Sequence, residues 1–191
     1  MKYIAILASG SGTNAENISR YFADSASIRV AVVLSNNQKA GVHERVGRLG
    51  IPSFVFTSEE FAEGTLILKK LIEYKVELVV LAGFMNRISE VLLDAYPDKM
   101  INIHPSLLPK YGGKSMYGMH VHEAVVVAGE KETGITIHYL NDQYDKGGVI
   151  FQASCPVVAS DTPEQVAARV HELEYTYYPQ VIENLLNQDH L

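Results

Sequence analysis

Hydrophobic positions in the first half of the chain come in short runs separated by stretches of helical spacing. Ile4–Ala8 is apolar and ends at Ser9-Gly10-Ser11-Gly12. Ile28–Leu34 is rich in β-branched residues, Ser53–Phe56 is shorter, and Leu78–Ala82 is strongly apolar. These four runs are predicted strands. Asn14–Phe22, Gly41–Leu49 and Glu59–Tyr74 are predicted helices, the last with Leu66, Leu68, Leu71 and Ile72 as its apolar positions. Strands alternating with helices predict βαβ units, a parallel sheet and right-handed crossovers.

The pattern changes after residue 100. Met100–His104 is a predicted strand running into Pro105, followed by a long loop from Ser106 to Met119 that carries three glycines. Connections of that length are often functional. Val121–Ala128 is a short helix candidate. Gly134–Leu140 and Val149–Val158 are two further strands. A last helix is N-capped by Asp161 or Thr162, with Pro163 at its first or second position.

A chain of 191 residues suits one domain and is long enough to fold without a disulfide or metal. The single cysteine, Cys155, makes no internal disulfide and reads as a small buried strand residue. That usage fits a reducing compartment, and the expected location is the cytoplasm. The N-terminus reads as a first strand rather than a signal peptide, and no apolar run approaches a membrane span. A net charge of −6 with interspersed signs argues against an extended nucleic-acid surface.

Gly10-Ser11-Gly12-Thr13-Asn14-Ala15 fits a glycine-rich strand-to-helix turn, whose helix N-terminus offers free N–H groups to a phosphate. It also fits a tight turn with no ligand. A dinucleotide site wants a carboxylate at the end of the second strand, where this chain has Ser35-Asn36-Asn37. A single phosphate on Gly12, Thr13 and Asn14 is the better reading.

Asn102-Ile103-His104-Pro105 sets an amide and an imidazole at i and i+2, on one face of a strand end. An amide can donate to a developing oxyanion, and an imidazole exchanges protons near neutral pH. No serine or cysteine nucleophile is evident. The set suits direct attack by a substrate nucleophile on a carbonyl; a hydrogen-bonded strand end is the plain reading of the same pair. Asp145, in Asp145-Lys146-Gly147-Gly148, is a turn aspartate or a carboxylate beside His104 that would raise its pKa. His120-x-His122 has metal-like spacing but little else to complete a site, and no metal is expected. His138 borders the site or is a satisfied strand histidine.

Taken together these segments resemble the phosphoribosylglycinamide formyltransferases, over nearly the whole chain. The most specific stretch is Asn102-Ile103-His104-Pro105-Ser106-Leu107-Leu108-Pro109-Lys110-Tyr111. Leu81–Met85, Gly134–His138, Asp145–Gln152, and Ala168–Glu174 with Tyr178-Pro179 support it. The resemblance implies a Rossmann-like α/β fold, with a mostly parallel twisted sheet flanked by helices and antiparallel strands in the C-terminal half. It implies one catalytic domain over residues 1–191. It implies formyl transfer from 10-formyltetrahydrofolate, as co-substrate, to a ribonucleotide amine in purine biosynthesis.

By the same resemblance Asn102, His104 and Asp145 would be catalytic, with Asp145 raising the pKa of His104 and ordering a water. Gly12, Thr13 and Asn14 would bind the substrate phosphate, and His171, Glu172, Leu173 and Glu174 would hold the ribonucleotide. Met85, Asn86, Arg87 and Ile88 would line the folate pocket. Asn102 and the loop Asn141, Asp142, Gln143, Tyr144 and Asp145 would also contact the folate. The expected partners are these small molecules alone, on a monomer or homodimer.

Two features depart from the familiar pattern. No arginine lies between Arg48 and Arg87 to meet the folate's glutamate tail, and the stretch from Gly112 to His120 is longer than the expected turn. The related tRNA formyltransferases and formyltetrahydrofolate deformylases carry an added domain, so length favours the free nucleotide as acceptor. An oxidoreductase using the glycine turn and a silent binding module are the readings from other classes.

Overall fold

The computed structural model describes residues 1–141 and 145–188. The strands are β1 (Lys2–Leu7), β2 (Ile28–Ser35), β3 (Ser53–Val55), β4 (Val76–Leu81), β5 (Met100–His104), β6 (Glu132–Tyr139) and β7 (Val149–Pro156). The helices are α1 (Thr13–Tyr21), α2 (Val42–Gly47), α3 (Ser58–Glu63), α4 (Thr65–Glu73), α5 (Glu90–Ala95), α6 (Met119–Val127) and α7 (Pro163–Asn187). The hydrogen-bonded strand order is β3-β2-β1-β4-β5-β6-β7. The chain divides into two compact units, one of Met1–Ile101 with the residues from Ile182 on, the other of Asn102–Val181.

In the first unit β1 pairs in parallel with β2 and β4, and β2 with β3. Ile4–Leu7, Val32–Leu34 and Leu78–Val80 are fully buried. Runs with no polar face are what a parallel sheet covered on both sides requires. The strand order reverses between β1 and β4, and the loops leaving those two strands are joined there. Ser9 N–H donates to the Gly83 carbonyl at 3.0 Å, and Met85 N–H donates to Ser9 Oγ at 3.0 Å. Such a switch point is where open α/β sheets bind ligands.

The predicted helix Glu59–Tyr74 is two helices. Thr57 and Glu60 form a capping box that starts α3, and Gly64, in a left-handed conformation at φ 83°, ends it and begins α4. Within α4 Ile67 and Leu71 are buried and Leu66 and Ile72 are exposed, so the expected apolar positions, all beyond Gly64, do not form one face. The fourth strand begins at Val76, two residues earlier than expected, because exposed Glu77 alternates with buried neighbours. The six-residue α5 buries Leu92 alone of its residues and has no periodicity to announce it.

In the second unit β6 and β7 are antiparallel, as expected for the C-terminal half. Cys155 on β7 is buried, and burial pushes its thiol pKa up. Thr162 caps α7. Gln165 N–H donates to its Oγ1 at 3.3 Å, and its own N–H donates to Gln165 Oε1 at 2.9 Å. Asp161 instead pairs with Arg169 and accepts from Val158 N–H. Pro163 takes the first helical position, where a missing N–H costs nothing. No helix among the described residues is long and apolar enough to cross a membrane.

Candidate active site

The alternation of β5 sends Asn102 and His104 to one face, and His138 on β6 meets them there. Asn102 Nδ2 lies 3.2 Å from His138 Nε2, and His104 Nδ1 lies 3.5 Å from Asp145 Oδ2. Asp145 Oδ1 is 3.6 Å from His138 Nε2, so one carboxylate faces both imidazoles. His104 and His138 are buried. The structure thus brings Asn102, His104 and Asp145 together and adds His138.

Backbone partners set the tautomers. His104 Nε2 is 2.7 Å from the Tyr111 carbonyl, which only accepts, so Nε2 carries a proton and Nδ1 is the exchangeable nitrogen. His138 Nδ1 likewise donates to the Tyr139 carbonyl at 2.8 Å, leaving Nε2 to accept from the Asn102 amide. The second N–H of that amide remains for an oxyanion.

Asp145 sits in a left-handed backbone conformation at φ 52°. Its loop closes tightly on β6. A Cβ on Gly147 would come 1.7 Å from the Tyr139 carbonyl oxygen, so glycine is required there. Gly113 N–H donates to Asp145 Oδ2 at 2.9 Å.

Burial is the largest influence on both members of the pair, and the outcomes differ. For Asp145, burial raises the pKa, but the His138 contact, the Gly113 N–H and the two imidazoles together bring it below its ordinary value. For His104, burial lowers the pKa, and the raising effects of Asp145 and the Tyr111 carbonyl do not offset it. Asp145 therefore acts in the expected direction, yet the net shift of His104 is opposite to the one expected from the sequence. The resting pair is a carboxylate facing a neutral imidazole whose Nδ1 is ready to accept a proton.

Elsewhere in the second unit, Glu174 is buried and accepts from His171 Nδ1 at 2.8 Å, a contact that raises the His171 pKa. Glu172 and His171 are exposed and Leu173 half-buried, so Glu174 is the inward carboxylate of the stretch. His122 is buried with its Nδ1 lacking a hydrogen-bond partner among the described residues, and its ring lies 6.5 Å from that of His171. His120 is exposed, 3.5 Å from Glu123. The two histidines occupy different environments and do not face one ligand together. No group of three or more His, Cys, Asp or Glu able to hold a metal occurs among the described residues.

In the first unit Gly12 adopts φ 77° immediately before α1, which has no side-chain cap. A Cβ on Gly12 would come 2.5 Å from the Val42 Cα. Thr13 and Asn14 are half-buried in the first turn, whose N–H groups suit an anion. Asn36, at the end of β2, donates its amide to Asn86 Oδ1 at 2.8 Å. Met85 and Arg87 are exposed, Asn86 is half-buried, and Ile88 packs into the interior. Asn141 is exposed, whereas Asp142, Gln143 and Tyr144 lie outside the described residues.

Three site features are faint or absent in the sequence. His138 carries a weak signal, a histidine in strand alternation with Thr136 and Gly134. The Tyr111 carbonyl and Gly113 N–H are backbone groups and carry none.

Residues 2–182 match the formyl transferase family. The chain is 38% identical over 191 residues to phosphoribosylglycinamide formyltransferase of Bacillus subtilis (strain 168), covering 97% of this chain and 95% of that one. It is 37% identical to the chloroplastic enzyme of that name from Arabidopsis thaliana, covering 95% of this chain but spanning 64% of the plant protein. The crystal structure of phosphoribosylglycinamide formyltransferase from Anaplasma phagocytophilum superposes with a TM-score of 0.90 at 34% identity, covering 98% of this chain and 87% of that one. With its parallel βαβ half, its antiparallel β6–β7 pair and this near-complete match, the chain belongs to the formyl transferase family.

Proposed function

We propose that the chain transfers the formyl group of 10-formyltetrahydrofolate to the glycinamide amine of 5′-phosphoribosylglycinamide, a step of purine biosynthesis. The observation that carries this reading is the grouping of buried His104 and His138 with half-buried Asn102 and Asp145, with 3.5 Å between His104 Nδ1 and the Asp145 carboxylate. It holds an amide donor and a proton-exchanging imidazole, and it needs no nucleophile of its own.

The neutral amine of the acceptor attacks the formyl carbon, forming a C–N bond as the carbonyl oxygen gains charge. His104 Nδ1 takes a proton from the attacking amine, and Asn102 Nδ2–H together with the resulting His104 Nδ1–H stabilises that oxygen. The Asp145 carboxylate favours the imidazolium as it forms, and a water beside it carries that same proton on to the leaving nitrogen of the folate. The carbon–nitrogen bond to that leaving nitrogen then breaks and the carbonyl re-forms.

Gly12, Thr13 and Asn14 hold the substrate phosphate on the α1 N-terminus. Glu174, with His171, Glu172 and Leu173, holds the acceptor. Met85, Asn86, Arg87 and Ile88 line the folate site, with Asn102, Asn141, Asp145 and, outside the described residues, Asp142, Gln143 and Tyr144. The proposed partners are these small molecules only. Residues 1–191 act as one catalytic domain, as a monomer or homodimer in the cytoplasm.

The test is one assay of purified protein with 10-formyltetrahydrofolate and the ribonucleotide, following loss of the formyl group, beside an acceptor-free control. Acceptor-dependent turnover supports the reading. Equal turnover without acceptor makes the protein a hydrolase of the formyl-folate, and no turnover in either arm refutes both.

A further inference from the structure

We propose that the turn Tyr111–Gly113 is a positioning element of the transfer reaction, with consecutive backbone groups holding His104 and Asp145 in place against each other. The inference rests on the formyl-transfer reading above. His104 and Asp145 do not hold one another, because 3.5 Å between Nδ1 and Oδ2 is too long for a firm hydrogen bond. Each is held by the turn instead. The Tyr111 carbonyl accepts from His104 Nε2 at 2.7 Å, and Gly113 N–H donates to Asp145 Oδ2 at 2.9 Å. That oxygen is the one facing Nδ1.

The backbone is built for this. Tyr111 and Gly113 adopt φ 55° and φ 94°, both left-handed. Between them Gly112 lies so close that a Cβ would come 2.5 Å from Leu108 Cδ2 and 3.5 Å from the Asp145 Cβ. The outer end of the turn is tethered as well. Tyr111 OH donates to Glu130 Oε1 at 3.0 Å, and Lys110 Nζ holds both Glu130 oxygens at 2.9 and 3.0 Å. The element thus joins Tyr111, the last residue of the most specific stretch, to Gly112 and Gly113, the first two of the stretch that departs from the expected turn.

Two consequences follow for the chemistry. Committing Nε2 to Tyr111 leaves Nδ1 as the nitrogen that exchanges its proton. Holding Asp145 Oδ2 toward Nδ1 keeps the carboxylate where it favours the imidazolium. The other groups acting on His104 are His138 on β6, Glu174 on α7 and His122 on α6.

Gly113→Ala is the direct test, since open space surrounds the added methyl and only the left-handed backbone resists it. Nitrogen-15 NMR of the His104 imidazole is read beside steady-state kinetics. Wild type is expected as the Nε2–H tautomer, and in G113A the His104 titration midpoint should fall. In the same variant kcat should drop on the order of 10²-fold, with both KM values within about twofold. Gly118→Ala, in the same loop at φ 54° with open space, should leave the His104 midpoint at its wild-type value.

An Nδ1–H tautomer in wild type overturns the proposal. So does an unchanged midpoint in G113A, or an equal change in both glycine variants. If G113A shows no cooperative melt, Tyr111→Phe takes its place: lower kcat at unchanged KM is expected, and wild-type kcat overturns the proposal. Wild-type protein without formyl transfer refutes the functional reading alone, because the NMR comparison needs no turnover.

Discussion

The cluster around His104 and the turn around Gly12 are the two proposed ligand sites at strand ends, and they are built on opposite principles. The cluster centres on two buried histidines and is held by hydrogen bonds from side chains and backbone. The turn is held by a left-handed glycine against Val42 and offers uncapped backbone N–H groups. Proton chemistry needs groups whose pKa burial can move. Anion binding needs a fixed dipole and free N–H donors, and neither has to titrate. The first feature should govern turnover and the second affinity.

The sharpest way to break that division is a pair of substitutions. Asn102→Ala removes the proposed oxyanion donor and should lower kcat by roughly 10²–10³, about 3–4 kcal/mol of barrier, with the KM for the ribonucleotide unchanged. Gly12→Ala should do the reverse. It forces a left-handed alanine, costing about 1–2 kcal/mol, against a Val42 backbone atom 2.5 Å away. The ribonucleotide KM should rise roughly tenfold with kcat retained. Steady-state kinetics on the two variants separates the effects, and a fall in kcat for Gly12→Ala would dissolve the distinction.

Acidity should act on the cluster through stability. His104 and His122 titrate below the ordinary histidine value of 6.5 when folded, both chiefly because of burial. Between the lowered and ordinary values the unfolded chain binds more protons, so stability falls as pH drops below 6.5 through the folded values. Asp145, also lowered, adds a loss of the same sign as pH falls from 3.8 through its folded value. His171 opposes the trend: its raised pKa gives a contribution that is present below 6.5 and lost as pH rises through the folded value. Thermal melts from about pH 7.5 to about pH 5 should show Tm falling with acidity, and His104→Gln should flatten that slope.

The smallest effect is expected far from either feature. Thr57→Ala breaks the capping box of α3 and should cost about 1 kcal/mol in denaturant unfolding, with kinetics unchanged. A kinetic effect there would mean that the cluster is less locally determined than its hydrogen bonds imply.

Much of this division was legible in the sequence. The strands of the first unit stand out because residues such as Ile4–Leu7 must be apolar on both faces, and the Gly12 turn because its backbone demands glycine. Asn102 and His104 share a face by alternation alone. The helix break at Gly64 is hidden because a lone glycine is tolerated inside a helical pattern, and the apolar positions Leu66, Leu68 and Ile72 all lie beyond it. His138 stays ambiguous in the sequence because a strand histidine is usually just satisfied. The net shift of His104 is not legible because a carboxylate neighbour can be read from a motif, whereas the depth of burial depends on packing. The Tyr111 carbonyl and Gly113 N–H were illegible because every residue has such groups, and only φ decides where they point.

The central claim is that His104 exchanges the proton that drives formyl transfer. Single-turnover formyl transfer by His104→Ala, with both substrates saturating, tests it most directly. A loss on the order of 10²–10⁴ in rate with the ribonucleotide still bound is the expected result. A rate near that of wild type would contradict the account.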